Sequence, residues 1–275
     1  MSIVFIGGGN MATAMLGGML QQGFAANELH VVEPDAARRE QLQTDFGVGA
    51  WALDDPLPDC DIVILAVKPQ QLAAVAKARA AELAGRLVIS IAAGIRMADL
   101  QRWLKCEAPN GPARLVRVMP NTPALVRAGV SGAWLGPHAL AEDQAQVDRI
   151  LRSVGSVVWV EEETRLDAIT AISGSGPAYV FHFIESLCQA AELQGFDAAT
   201  ARQLAYGTFE GAVRLALDSH DDAATLREKV TSKGGTTAAA LNKMAELGVQ
   251  AAIVAGAQAA RARATELADE LGRDS

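Results

Sequence analysis

The chain has 275 residues, half of them hydrophobic and a fifth charged, the composition of an ordinary globular protein with length enough for two domains. Its net charge of -8 excludes nucleic acid and anionic membrane as natural partners, because either rewards a basic face that this composition lacks. The longest uncharged run, 168 to 184, is broken by Gly174, Gly176 and Pro177 and is too short to cross a bilayer.

The first strand is expected at Ile3 to Ile6 and runs straight into Gly7-Gly8-Gly9-Asn10-Met11-Ala12. A G-x-G-x-x-A turn between a strand and a helix is the fingerprint of a dinucleotide site. Gly7 permits the tight turn, Gly9 lets the backbone approach a pyrophosphate, and Ala12 lets the helix pack on the strand. The helix that follows has apolar residues at Met11, Met15, Leu16, Met19 and Leu20. A second strand, Leu29 to Val32, ends in Glu33, where an acid is placed to accept from a ribose hydroxyl. Since the fingerprint begins almost at Met1, no signal or transit peptide is expected. Cys60, Cys106 and Cys188 are odd in number and lack metal-ligand spacing, which reads as reduced thiols in the cytoplasm.

Further strands are expected at Ile62 to Val67, Leu87 to Ala92, Leu115 to Val118 and Ser156 to Val160, alternating with helices as in a parallel, doubly wound sheet. Lys68-Pro69-Gln70, Ala93-Gly94 and Met119-Pro120-Asn121-Thr122-Pro123 follow three of them. In an open α/β sheet ligands bind beyond the carboxyl ends of the strands, so these loops should share one crevice with Gly7 to Ala12. Lys68 is the only cation there, a partner for phosphate or carboxylate or else a solvated loop lysine. Asn121, held between prolines, is either a positioning group or a turn former. The run Glu161-Glu162-Glu163 reads as a solvated helix start without chemistry.

Beyond it everything reads as helix: Asp167 to Gln194, Asp197 to Leu217 and Gly248 to Leu271. The division expected is a dinucleotide-binding domain over 1–161 and an all-helical domain over 162–275. Two clusters stand out. Ser173-Gly174-Ser175-Gly176-Pro177-Ala178-Tyr179 interrupts an apolar helix, either as a kink at a packed interface or as a place where something approaches closely. Thr231-Ser232-Lys233-Gly234-Gly235-Thr236-Thr237 gathers hydroxyls and free N–H groups at a helix start, a geometry that suits a carboxylate and exceeds what a plain cap requires.

Taken together, the chain resembles pyrroline-5-carboxylate reductases over nearly its whole length. The motifs that carry the likeness are IGGGNMA at Ile6, AVKPQ at Ala66, SIAAG at Ser90, VMPNTPA at Val118, DAITAISGSGPAYVF at Asp167 and VTSKGGTT at Val230, the last two being the most specific. The resemblance implies an α/β fold with an N-terminal Rossmann-type sheet that binds NADPH or NADH and a C-terminal helical domain that builds a homodimer. Some family members assemble five dimers into a decamer, and the sequence leaves dimer and decamer both open. The implied cofactor site comprises Ile6, Gly7, Gly9, Asn10, Met11, Ala66, Val67, Lys68, Pro69, Ala92, Ala93, Gly94 and Asn121, with Glu33 and Asp54 at the ribose. The implied substrate site comprises Ser173, Ser175, Ser232, Gly235, Thr236 and Thr237, with the Thr237 hydroxyl donating a proton to the ring nitrogen of a cyclic imine.

An iminium carbon is already electrophilic, so its reduction needs less acid catalysis than that of a ketone, and His30, His138, His182 and His220 are read as structural or surface groups. Glu33 departs from the small or hydroxylated residues of NADPH-preferring relatives and argues for NADH, although Arg38 and Arg39 stand close enough to compensate. Two rivals remain. A hydroxyacid dehydrogenase would need a catalytic lysine on the helix after the glycine-serine cluster, where the next lysine is Lys229. A regulator without turnover would carry a degraded substrate loop, and VTSKGGTT is intact.

Overall fold

The computed structural model describes residues 1–105 and 111–273, so Cys106 lies outside the described residues. Two compact units emerge: Met1–Ser175 together with Ala260–Ser275, and Gly176–Ala259. The first therefore runs past the change of texture at residue 161 and takes in the chain's end as well.

In the first unit the chain passes through β1 (Ile3–Ile6), α1 (Asn10–Gln21), β2 (Leu29–Val32), α2 (Ala36–Phe46), β3 (Gly49–Trp51), β4 (Ile62–Leu65), α3 (Pro69–Leu83), β5 (Leu87–Ser90), α4 (Met97–Trp103), β6 (Arg114–Met119), β7 (Gly129–Leu135), α5 (Ala141–Leu151), β8 (Gly155–Trp159) and α6 (Arg165–Ile169). The strands form one sheet in the order β3-β2-β1-β4-β5-β6-β7-β8. Every residue of β1, β4 and β5 is buried, as β-branched strands covered on both faces must be. Ile3 and Phe5 join one apolar core and Val4 and Ile6 the other, following the alternation of a strand.

The expectation of a wholly parallel sheet is corrected at its far edge. β7 runs antiparallel to β6, and β8 runs parallel to β7. The nine residues between Met119 and Gly129, with a 3-10 turn over Thr122–Val126, are too few for a crossover, so the chain must return beside the strand it has just left. Two expected strands are also shorter than their apolar runs. β4 stops at Leu65 and β5 at Ser90, which leaves Ala66, Val67 and Ala92 in the loops.

The interruption expected within Asp167 to Gln194 is present, centred a few residues earlier than the glycine-serine cluster suggested. After α6, a π turn occupies Thr170–Gly174, closed by the Ser175 N–H on the Thr170 carbonyl at 2.8 Å, before α7 (Gly176–Leu193) begins. Pro177 thus falls in the first turn of a new helix, where a missing N–H costs nothing. The second unit continues with α8 (Ala198–Asp218), α9 (Ala223–Lys229) and α10 (Thr236–Glu246), and α11 (Val249–Leu271) starts in it and ends in the first. Asp197 and Asp222 cap α8 and α9 by accepting from Thr200 and Thr225 N–H, each at 2.8 Å. α7 packs on α8, yet across the helices of this unit only Ala201 and Ala205 are fully buried. Phe181, Leu187, Leu204, Tyr206, Val213 and Leu215 stay exposed.

Candidate active site

The glycine turn is shaped by contacts that explain each glycine. Gly7 has φ 105°, and a Cβ there would lie 2.7 Å from the Ala66 carbonyl oxygen. Its N–H bonds the Val32 carbonyl and the Ala66 N–H bonds the Ile6 carbonyl, both at 2.8 Å, so the turn is tied to both neighbouring strands. Gly9 is different. It is exposed, and a Cβ there would meet nothing within 4 Å. No side chain caps α1, so the space over Gly9, Asn10 and Met11 is bounded by open backbone at a helix start. This cradle fits a pyrophosphate.

Glu33 sits at the end of β2 and grips that turn. One carboxylate oxygen accepts from the Gly8 N–H at 2.8 Å and the other from the Asp35 N–H at 3.1 Å. Arg38 holds the carbonyl of the same residue, giving Nε to the Gly8 oxygen at 2.9 Å and Nη2 to the Thr13 hydroxyl at 2.5 Å. Arg39 donates to the Glu33 and Pro34 carbonyls at 2.7 and 2.8 Å. Asp54 is exposed, on a loop pinned from beneath by the buried Arg79. That guanidinium bonds the Leu53 carbonyl, the Asp55 carbonyl at 2.8 Å and Glu82 at 2.7 Å. Sequence reasoning passed over Arg79 because an arginine in a helix reads as solvated.

The loops after β4, β5 and β6 all leave the same end of the sheet as the turn after β1. Lys68 is exposed at the N-cap of α3 with Pro69 at its first position. Ala93 is exposed and Gly94 adopts φ 73°. Asn121 is buried, and both ends of its amide serve the fold: Nδ2 donates to the Ser173 carbonyl at 2.9 Å and Oδ1 accepts from the Val130 N–H at 2.8 Å. It is a tie between the loop after β6, the start of β7 and the π turn.

The Ser173 hydroxyl is likewise engaged, donating to the Ile169 carbonyl at 3.1 Å, the usual back-bond of a helical serine. In the second unit, Ser232, Lys233 and Thr236 are exposed, and Gly234 turns the chain at φ 72°. Gly235 is the N-cap of α10 and no side chain caps that helix. Ser232 lies so close that a Cβ on Gly235 would strike its hydroxyl. The turn is solvent-accessible from Ser232 to Gly234 and at Thr236, with Thr237 half-buried in the first turn of α10.

Of the three glutamates expected to be solvated, Glu161 and Glu162 are exposed, and only the third departs from that reading. Glu163 is half-buried, forms a close ion pair with the buried Arg117 and accepts the Met97 N–H at 2.6 Å. Three consecutive acids disguise the one that folds inward. The histidines fall outside the crevice loops. His30 lies on β2 edge-on to Trp51, with burial holding its pKa below the usual value, and His182 is exposed 3.8 Å from Glu185. Burial pushes the Cys60 thiol up, which removes it as a nucleophile. No helix among the described residues is long and apolar enough to cross a membrane.

Comparison with known proteins bears on both halves. Residues 163–267 match the family model for pyrroline-5-carboxylate reductase dimerisation, and residues 2–94 match that of the coenzyme F420-dependent NADP oxidoreductases. A pyrroline-5-carboxylate reductase of Pseudomonas aeruginosa is 39% identical over 273 residues, covering 98% of each chain, and that of Pasteurella multocida is 41% identical with 97% of each covered. The solved reductase of Coxiella burnetii superposes with a TM-score of 0.90 at 35% identity, covering 97% of this chain and 98% of that one. The Plasmodium falciparum structure, which has NADP bound, gives 0.82 at 26% identity, with 97% and 98% covered. With its sheet, glycine cradle and threonine turn in place and relatives of this similarity along its entire length, the chain belongs to the pyrroline-5-carboxylate reductase family.

Proposed function

We propose that the chain reduces L-1-pyrroline-5-carboxylate to L-proline with a hydride from NAD(P)H, the closing step of proline synthesis, and that residues 1–161 hold the cofactor while 162–275 provide dimerisation and the substrate turn. One observation carries the reading: a single chain combines an open dinucleotide cradle at Gly9 with an uncapped, exposed helix start at Gly235 flanked by hydroxyls. The bound nicotinamide supplies the hydride. Beyond one proton for the ring nitrogen, the rest falls to binding and orientation, which can account for most of the acceleration when the acceptor carbon is already electrophilic.

Ser232, Gly235, Thr236 and Thr237 take the substrate carboxylate, where the dipole of α10 and its unpaired N–H groups favour negative charge without a buried cation. Thr237 places its hydroxyl at the ring nitrogen as the proton donor. Ser175 and Ser173 complete the substrate site, Ser173 by exchanging its bond to Ile169 or by accepting on its free lone pair. Ile6, Gly7, Gly9, Asn10, Met11, Ala66, Val67, Lys68, Pro69, Ala92, Ala93, Gly94, Asn121 and Asp54 line the cofactor, with Asn121 acting through the loop it ties.

NADH is the favoured cofactor. Two backbone N–H groups fix the Glu33 carboxylate at the end of β2, where it accepts from a ribose hydroxyl and repels a phosphate in its place. Arg38 and Arg39 are held on neutral acceptors, Gly8, Thr13 and the Glu33 and Pro34 carbonyls, and keep their charge, so the preference rests on the Glu33 carboxylate. The exposed apolar residues of α7 and α8 support a homodimer, with the decamer a further step that the described surfaces leave open. Cytoplasmic residence fits the free Cys60 and Cys188. The test follows loss of reduced-cofactor absorbance with pyrroline-5-carboxylate and each nicotinamide. Turnover with proline as the product supports the reading, and absence of turnover with both nicotinamides refutes it.

A further inference from the structure

The loop between β5 and α4 carries Ala92, Ala93 and Gly94, and it needs an anchor because α4 has seven residues and its N-cap, Arg96, contributes no side-chain bond. The anchor comes from far along the chain. Glu163 accepts the Met97 N–H at 2.6 Å, 66 residues away in sequence, and so performs the capping that Arg96 cannot. Arg117 holds Glu163 in place from β6, and its Cα stands opposite Ser90, the last residue of β5, in the strand register. The other flank is closed by the end of α11. A Cβ on Gly94 would lie 3.1 Å from Leu271, and Arg96 pairs with Asp269 at 2.7 Å.

An ion pair with its arginine buried is a poor device for stability, since apolar residues of equal volume usually do as well or better. What Arg117 and Glu163 add is direction: one carboxylate oxygen aimed at one N–H. We propose that Glu163 is a positioning residue, which, held by Arg117, sets the start of α4 and thereby fixes Ala92 to Gly94 where the nicotinamide is to lie. The inference rests on the reading of that loop as a wall of the cofactor site. It does not depend on the identity of the imine.

The test compares wild type, Glu163→Gln and the double variant Arg117→Met with Glu163→Met, by thermal unfolding, by hydrogen exchange over residues 91–97 with and without NADH, and by steady-state kinetics. The double variant removes both charges together and is expected to melt near wild type. Its Met97 amide should exchange at least about tenfold faster, and kcat should fall about tenfold or more while KM for NADH and imine stays within about threefold. Glu163→Gln keeps an acceptor and should remain within about threefold of wild type in kcat. If the double variant fails to fold, Glu163→Asp, which keeps the charge and shortens the reach, is read in the same way. Wild-type kcat and Met97 exchange in the double variant, or in Glu163→Asp where that is the one read, overturn the clamp while leaving the cofactor wall intact. Absence of NADH protection at 91–97 in the wild type removes the wall itself, and the clamp with it.

Discussion

Gly9→Ala should separate folding from function. Its backbone, φ -72° and ψ -175°, is open to any residue, and a Cβ there meets nothing within 4 Å, so the only folding cost is a poorer N-cap, about 1 kcal/mol or less. At roughly 2.1 cal/mol/K per residue, the unfolding entropy of a 275-residue chain is about 0.6 kcal/mol/K, and Tm should move by about 2 °C at most. The added methyl stands where the pyrophosphate must touch backbone. Losing one or two charge-assisted N–H bonds costs about 2 to 3 kcal/mol, a rise in Kd for reduced nicotinamide of about 30- to 150-fold. Gly7→Ala should do the reverse damage. It forces a side chain to φ 105° and onto the Ala66 carbonyl, costing about 3 kcal/mol or more and lowering Tm by about 5 °C. NADH fluorescence titration beside thermal melts reads both. An unchanged Kd in a well-folded Gly9→Ala protein would refute the placement of the pyrophosphate.

Thr237→Ala should lower kcat by about tenfold or more in the absorbance assay, whereas an unchanged kcat with a raised KM would reassign Thr237 to binding alone. Glu33→Ser should raise the ratio of kcat/KM for NADPH over NADH by about tenfold or more, and a fixed ratio would remove Glu33 from cofactor choice. For His30, burial lowers the folded pKa, so the unfolded chain takes up its proton first. Stability supplied by the neutral ring is complete above about pH 6.5 and is lost as pH falls below it. His30→Asn should therefore melt with a flatter pH profile than wild type between pH 6.5 and 5, and parallel profiles would sink that account.

Legibility followed the range of the forces involved. β1 and β2 are found at their expected residues: four consecutive apolar residues covered on both faces define β1, and Leu29, Val31 and Val32, all buried, carry β2 past the half-buried His30. β7 escaped notice because Gly129-Val130-Ser131-Gly132 has little β-branched character, and its place depends on a short return from β6. Gly7, Gly9 and the uncapped turn before α10 were readable because one local backbone conformation defines them. Arg79, Arg117 and Glu163 were not, for each acquires its task from a partner outside its own helix or strand, and no spacing in a single sequence announces that. Asn121 shows the middle case. Its restriction by prolines was visible, but its two ties to Ser173 and Val130 depend on tertiary placement.

The two fully buried alanines of α8 have a thermodynamic corollary. Helices that seal away so little of their own oil have almost nothing to set against the entropy of ordering them, so a solitary copy of this half should sit near its melting point. Persistence of the helical half then becomes a matter of mass action: the more concentrated the protein, the more resistant that half, while the sheet, with its two internal cores, holds together whatever the dilution.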